Sequence, residues 1–73
     1  MNVTPFELRG EYITLDALLK ATGSAPSGGI AKVMIAGGEV QVDGVVELRK
    51  TCKIRAGQGV EALGVRVRVM AAR

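Results

Sequence analysis

The run Val40-Gln41-Val42-Asp43-Gly44-Val45-Val46 leaves this chain few ways to fold. Alternating valines ask for a half-buried strand, and Asp-Gly is a strong two-residue hairpin signal, because both central positions of that turn need a positive φ. Just upstream, Ser27 and the Gly37-Gly38 pair bracket apolar residues at helical spacing. The segment from Ser27 to Ile54 therefore reads as a short helix, a glycine stop, a strand, a tight turn and a return strand. That return strand is expected to carry Arg49, Lys50 and Lys53. A helix-to-hairpin unit that ends in closely spaced cations suggests a module that holds phosphates.

With 73 residues, 48% of them apolar, the chain is expected to be one globular domain spanning 1–73, near the lower size at which a core suffices unaided. There is no linker, internal repeat or low-complexity tract. No apolar run reaches the roughly 18 residues a membrane helix needs, and Met1-Asn2-Val3-Thr4-Pro5 lacks the basic and apolar regions of a secretion signal. The single cysteine, Cys52, cannot form an internal disulfide, whereas small secreted domains usually need several. The expected location is the cytoplasm.

The net charge of +3 hides an asymmetry. Residues 1–48 hold three cations against six carboxylates, a net −3, and residues 49–73 hold seven cations against Glu61 alone, a net +6. Clustered cations are the electrostatic footprint of a nucleic-acid binder, although a solvated basic face gives the same count.

Val3 to Leu8 alternates as a first strand, and Pro5 makes it an edge strand or a strand start because proline donates no backbone hydrogen bond. Thr14 suits an N-cap before a helix bearing Leu15, Leu18 and Leu19, with Asp16 in the first turn and Gly23 at the end. Ser27 caps the second helix, in which Ile30, Ala31, Met34 and Ile35 are the expected core residues. Gly28, Lys32 and Ala36 share a face nearly bare of side chains. Two adjacent glycines in a first turn cost up to about 1 kcal/mol each relative to alanine. They imply either close helix packing or close approach of a ligand. Ala56-Gly57-Gln58-Gly59 reads as a turn, and Val65, Val67 and Val69 alternate with Arg66 and Arg68 as a final strand with a basic outer face. The predicted class is α+β, two short helices packed on a small, mainly antiparallel sheet.

Catalysis finds little material. The chain has no histidine, which excludes His-based acid–base work, Ser-His or Cys-His pairs and histidine metal ligation. Cys52 alone makes no thiolate metal cage, and a strand cysteine is more often a small buried hydrophobe than a nucleophile. Gly57-x-Gly59 precedes no helix and Ser27-Gly28-Gly29 lacks the Gly-Lys of a P-loop. No enzyme activity, cofactor or metal is expected. Binding finds more. The start of the second helix at Ser27-Gly28-Gly29 presents unpaired N–H groups with no bulk in the way. Lys32 follows one turn later, and Arg49, Lys50 and Lys53 could track a phosphate backbone from the return strand of the hairpin. Phe6 and Tyr12 are the only aromatics, and Phe6 is assigned to the core. Binders of single strands usually stack bases on several rings, so a structured nucleic acid fits better.

The chain also resembles the S-four (alpha-L) RNA-binding domain, a family named for a ribosomal small-subunit protein. The matching residues are Leu15-Asp16-x-x-Leu19, Ser27, Ala31, Met34-Ile35, Gly38-x-Val40-x-Val42-Asp43-Gly44 and Ile54-x-x-Gly57, over about residues 13–69. Two longer strings, Ser27-Gly28-x-x-Ala31-Lys32 and Val42-Asp43-Gly44-x-x-Glu47-x-Arg49-Lys50-x-Cys52-Lys53-Ile54, are similar to the small stand-alone bacterial subgroup called the YbcJ type. The basic residue often found before Leu15 in the wider family is Thr14 here, and the arginine often found after the helix serine is Gly28. The expected contacts therefore shift toward Lys32 and the Arg49–Lys53 stretch.

The resemblance implies a non-catalytic protein that binds structured RNA, ribosomal or transfer RNA, with the ribosome as one setting, through phosphate contacts. The implied surface is Ser27, Gly28, Gly29, Lys32, Arg49, Lys50, Lys53 and Arg55, on a monomer with no membrane or small-molecule partner. RNA is preferred over DNA on this resemblance alone. Two other readings share the scaffold. A ubiquitin-like sulfur carrier has a similar hairpin but needs a C-terminal Gly-Gly, where this sequence has Val69-Met70-Ala71-Ala72-Arg73. A protein-interaction module would use the basic sheet face on an acidic partner.

Overall fold

The computed structural model describes residues 2–72. Its elements follow in the order β1 (Asn2–Leu8), β2 (Ile13–Thr14), α1 (Leu15–Ala21), α2 (Gly28–Ala36), β3 (Val40–Val42), β4 (Val45–Val46), β5 (Lys53–Ile54), β6 (Gly59–Ala62) and β7 (Val65–Ala71). Five strands form one sheet in the order β1-β7-β6-β3-β4, and β2 pairs with β5 in a separate ribbon. β1 runs parallel to β7 while the remaining pairs are antiparallel. This is the predicted α+β class. Pro5 sits in β1, whose one neighbour is β7, so its missing donor removes nothing from the middle of the sheet.

The local signals account for the element ends. Ser27 Oγ accepts from the Ile30 N–H at 3.2 Å and so caps α2. Gly38, at φ +76, lets the chain turn out of α2 into β3. Asp43 and Gly44 both take positive φ, +52 and +83, in the turn joining β3 to β4. The hairpin tip is then pinned to the strand beside it. The Asp43 N–H donates to the Gly59 carbonyl at 2.8 Å, and the Asp43 carboxylate accepts from the Gly59 N–H at 2.9 Å.

Leu15, Leu18 and Leu19 of α1 meet Ala31, Met34 and Ile35 of α2, with Val40, Val60, Val67 and Val69 of the sheet and Ile54 of the ribbon in the same buried cluster. α2 lies against α1. Because α2 turns Ala31, Met34 and Ile35 inward, Ile30 falls at its rim, 46% exposed, and is not a core residue as its spacing had suggested. Phe6 and Val42 are half-buried against the core.

Two expectations about strands need correction. The return strand β4 ends at Val46, so Arg49 and Lys50 lie in a loop outside the sheet, and Lys53 belongs to the ribbon. The region after Gly59 contains a further strand, β6, which enters β7 through a turn at Leu63-Gly64 with φ +51 and +78. Among the described residues, no helix is long and apolar enough to cross a membrane.

Candidate nucleic-acid interface

The cationic segment is shaped by what it closes. Leaving β4, the chain doubles back over the start of α1, where the first N–H groups of a helix lack partners of their own. The Leu15 N–H donates to the Cys52 carbonyl at 2.9 Å and the Asp16 N–H to the Lys50 carbonyl at 3.1 Å. Thr14 holds the N-cap position in extended conformation, but its side chain makes no capping hydrogen bond; the loop carbonyls take that role. With its carbonyls directed at α1, the loop leaves the side chains of Arg49, Lys50 and Lys53 exposed to solvent.

Glu47 sets the loop's curvature. Its carboxylate accepts from the Arg49 N–H and Nε, each at 3.0 Å, and from Arg49 Nη2 at 3.1 Å. These bonds, the Arg49 side chain's first, hold the Glu47 carboxyl down to about 2 from its usual 4.5. Arg49 is thus committed to an internal partner and is not an unpaired cation, as clustering in the sequence had suggested. Arg66 is likewise paired, to Glu61 directly across β6 and β7 at 3.1 Å. Among the described residues, Lys32, Lys50, Lys53, Arg55 and Arg68 form no ion pair.

Cys52 lies half-buried under this loop against the core. Burial pushes its thiol above the usual cysteine value, with the Glu47 carboxylate acting in the same direction. That is the setting of a packing residue, and the nearby cations do not activate it.

The ribbon positions the next two cations. Ile13 lies opposite Ile54 and Thr14 opposite Lys53. One step further along this register Tyr12 meets Arg55. Lys53 Nζ stands 4.9 Å and Arg55 Cζ 6.0 Å from the centre of the Tyr12 ring. The Arg55 backbone is fixed by its N–H donating to Gln58 Oε1 at 2.7 Å, while Gln58 Nε2 donates to the Asp43 carboxylate at 3.2 Å. The hairpin tip is thereby tied to the cationic segment. Tyr12, Glu47 and Gln58 had not been singled out as site residues. Only the close Glu47-x-Arg49 spacing is visible in the sequence, because Tyr12 meets Lys53 through tertiary pairing.

The other expected site residues stand on α2. Ser27, Gly28 and Gly29 begin α2, and Lys32 projects one turn along it, exposed. Among the described residues, the Gly28 and Gly29 N–H groups have no protein acceptor. A Cβ built on Gly28 would meet nothing within 4 Å, and one on Gly29 only Ser27 Oγ at 3.9 Å. Close packing therefore does not require either glycine. Among the described residues, no hydrogen bond or ion pair joins this helix start to residues 49–55, and no group of three or more potential metal ligands occurs.

The protein YbcJ of Escherichia coli (strain K12) is 52% identical over 60 residues, covering 82% of this chain and 86% of YbcJ. A protein of the same name from Shigella flexneri matches to the same extent. The solution structure of YbcJ from E. coli aligns with a TM-score of 0.66 at 45% identity, covering 97% of this chain and 89% of that one. It contains an alphaL motif described as involved in RNA-binding. The family model for the S4 domain matches residues 6–70, nearly the whole length, and the chain belongs to that S4 domain family.

Proposed function

We propose that this protein binds structured RNA through phosphate contacts from the cationic edge around α1 and β5. Membership of the S4 domain family makes it a binding domain and not an enzyme, and sets aside the sulfur-carrier reading. The observation that carries the proposal is the placement of Lys50, Lys53 and Arg55. All three are exposed and, among the described residues, form no ion pair, on backbone held by α1, by β2 and by Gln58. Fixed cations lose less freedom on meeting a phosphate than cations on a mobile loop. RNA is the class favoured by the motif described for the related YbcJ structure. Ribosomal or transfer RNA is the structured class this surface would meet, in the cytoplasm, with the protein acting as a monomer.

Lys32 and the start of α2 extend the proposed surface. If about four phosphates are neutralised, binding to a folded RNA should weaken with salt at a log–log slope of roughly −3 to −4. Lys50→Ala and Lys53→Ala should each make the slope shallower by about 0.7–0.9 and weaken binding across RNAs of different sequence. A flat salt dependence, or no RNA binding at low salt, would overturn the reading. Capture of acidic proteins in its place would favour the interaction-module alternative.

A further inference from the structure

Tyr12 has no part in the phosphate contacts, yet it is the one aromatic side chain well exposed, at 43%. Lys53 Nζ and Arg55 Cζ stand over its ring, 4.9 and 6.0 Å from the centroid. It also borders an open groove of about 380 Å³ lined by Phe6, Glu7, Leu8, Arg9 and Ile13. Glu7 and Arg9 give this groove charges of both signs, and Phe6, Leu8 and Ile13 give it apolar surface. A bare phosphate gains little there, and a flat, uncharged group gains more.

We infer that Tyr12 is a stacking site for a single unpaired nucleobase of the bound RNA. The inference rests on the RNA-binding reading above. Lys53 and Arg55, which stand over the ring in the free protein, move onto the phosphates on either side of that nucleotide, and the base takes their place on the ring at the mouth of the groove. Every base has a π-face, so the site accepts any of the four. One ring stacks one base. The preferred ligand is therefore a helix interrupted by a bulged or looped-out nucleotide, neither a continuous duplex nor an extended single strand.

The test uses the full chain and two RNA hairpins that differ only in a single bulged 2-aminopurine, present in one and absent from the other. The parent protein should bind the bulged hairpin more tightly and quench the 2-aminopurine fluorescence. Tyr12→Leu should weaken binding to the bulged hairpin roughly 5- to 150-fold, the range found when an aromatic stacking partner is removed. Its affinity for the continuous hairpin should fall by much less, so that the parent's preference for the bulged hairpin is lost. Tyr12→Phe keeps the ring and should retain both preference and quenching, which guards the test against a folding defect in Tyr12→Leu. Equal, salt-dependent binding of both hairpins by the parent would overturn the stacking site and leave the phosphate reading intact. A folded Tyr12→Leu protein with the parent's preference would do the same. Binding of neither hairpin would overturn both readings.

Discussion

Arg49 is the first of the clustered cations along the chain, yet Glu47 accepts from its backbone N–H and from the Nε and Nη2 of its guanidinium within 3.1 Å. Counting charges along a sequence shows where cations fall but not which carboxylate folds back onto them. Glu47 belongs to the acidic half of the chain by position and neutralises the basic half by contact. Its carboxyl titrates near 2 when folded against 4.5 ordinarily, so the folded state favours the ionised form. The stabilisation is complete above about pH 4.5 and is lost as pH falls toward 2. The expected outcome is that the stability difference between the parent and Glu47→Gln, measured by urea midpoints, holds from pH 7 to about 5 and shrinks below that. Because the pair is exposed, added salt should reduce it as well. A Glu47 carboxyl signal that titrates near 4.5 in the folded protein would contradict this account.

Among the elements, α2 was largely legible in the sequence and the segment after β4 was not, and the physical reasons differ. The Ser27 cap, the Gly38 stop and the inward positions of Ala31, Met34 and Ile35 all follow from chemistry within a few residues. Ile30 was misplaced because four apolar residues fit the helical repeat while the contact with α1 has room for three. After Val46, the alternation through Glu47, Leu48 and Arg49 imitates a strand. The chain leaves the sheet there because the bare N–H groups of α1 draw the carbonyls of Lys50 and Cys52, a distant demand that no local pattern carries. β6 escaped notice because Leu63 occupies a left-handed turn position that leucine rarely adopts. The inward–outward division of α2 is directly measurable. Ile35→Ala, at a fully buried site, should cost about 2–5 kcal/mol, a large share of a small domain's stability. Ile30→Ala, in the same helix at a site 46% exposed, should cost well under half as much. Equal losses in thermal or urea denaturation would mean that α2 is rotated from the orientation described.

Across the whole molecule, the cations of the proposed surface fall in two places, the α1–β5 edge and the start of α2, and one RNA spanning both would need each of them. Family motifs in the sequence pointed to both places, and among the described residues no hydrogen bond or ion pair joins them. The open space around Gly28 allows a test that separates function from folding. Gly28→Glu puts a side chain where nothing lies within 4 Å and places a carboxylate at the positive end of α2. It should therefore leave the melting temperature unchanged or raise it slightly. A phosphate held by the Gly28 and Gly29 N–H groups would be displaced, and losing a charge-assisted hydrogen bond of about 1.5–3 kcal/mol lowers affinity roughly tenfold or more. The salt slope for the same RNA should become shallower together with that loss, as it does for Lys32→Ala. If Gly28→Glu and Lys32→Ala both bind like the parent while Lys50→Ala and Lys53→Ala do not, the RNA is confined to the α1–β5 edge. The start of α2 would then lie outside the interface.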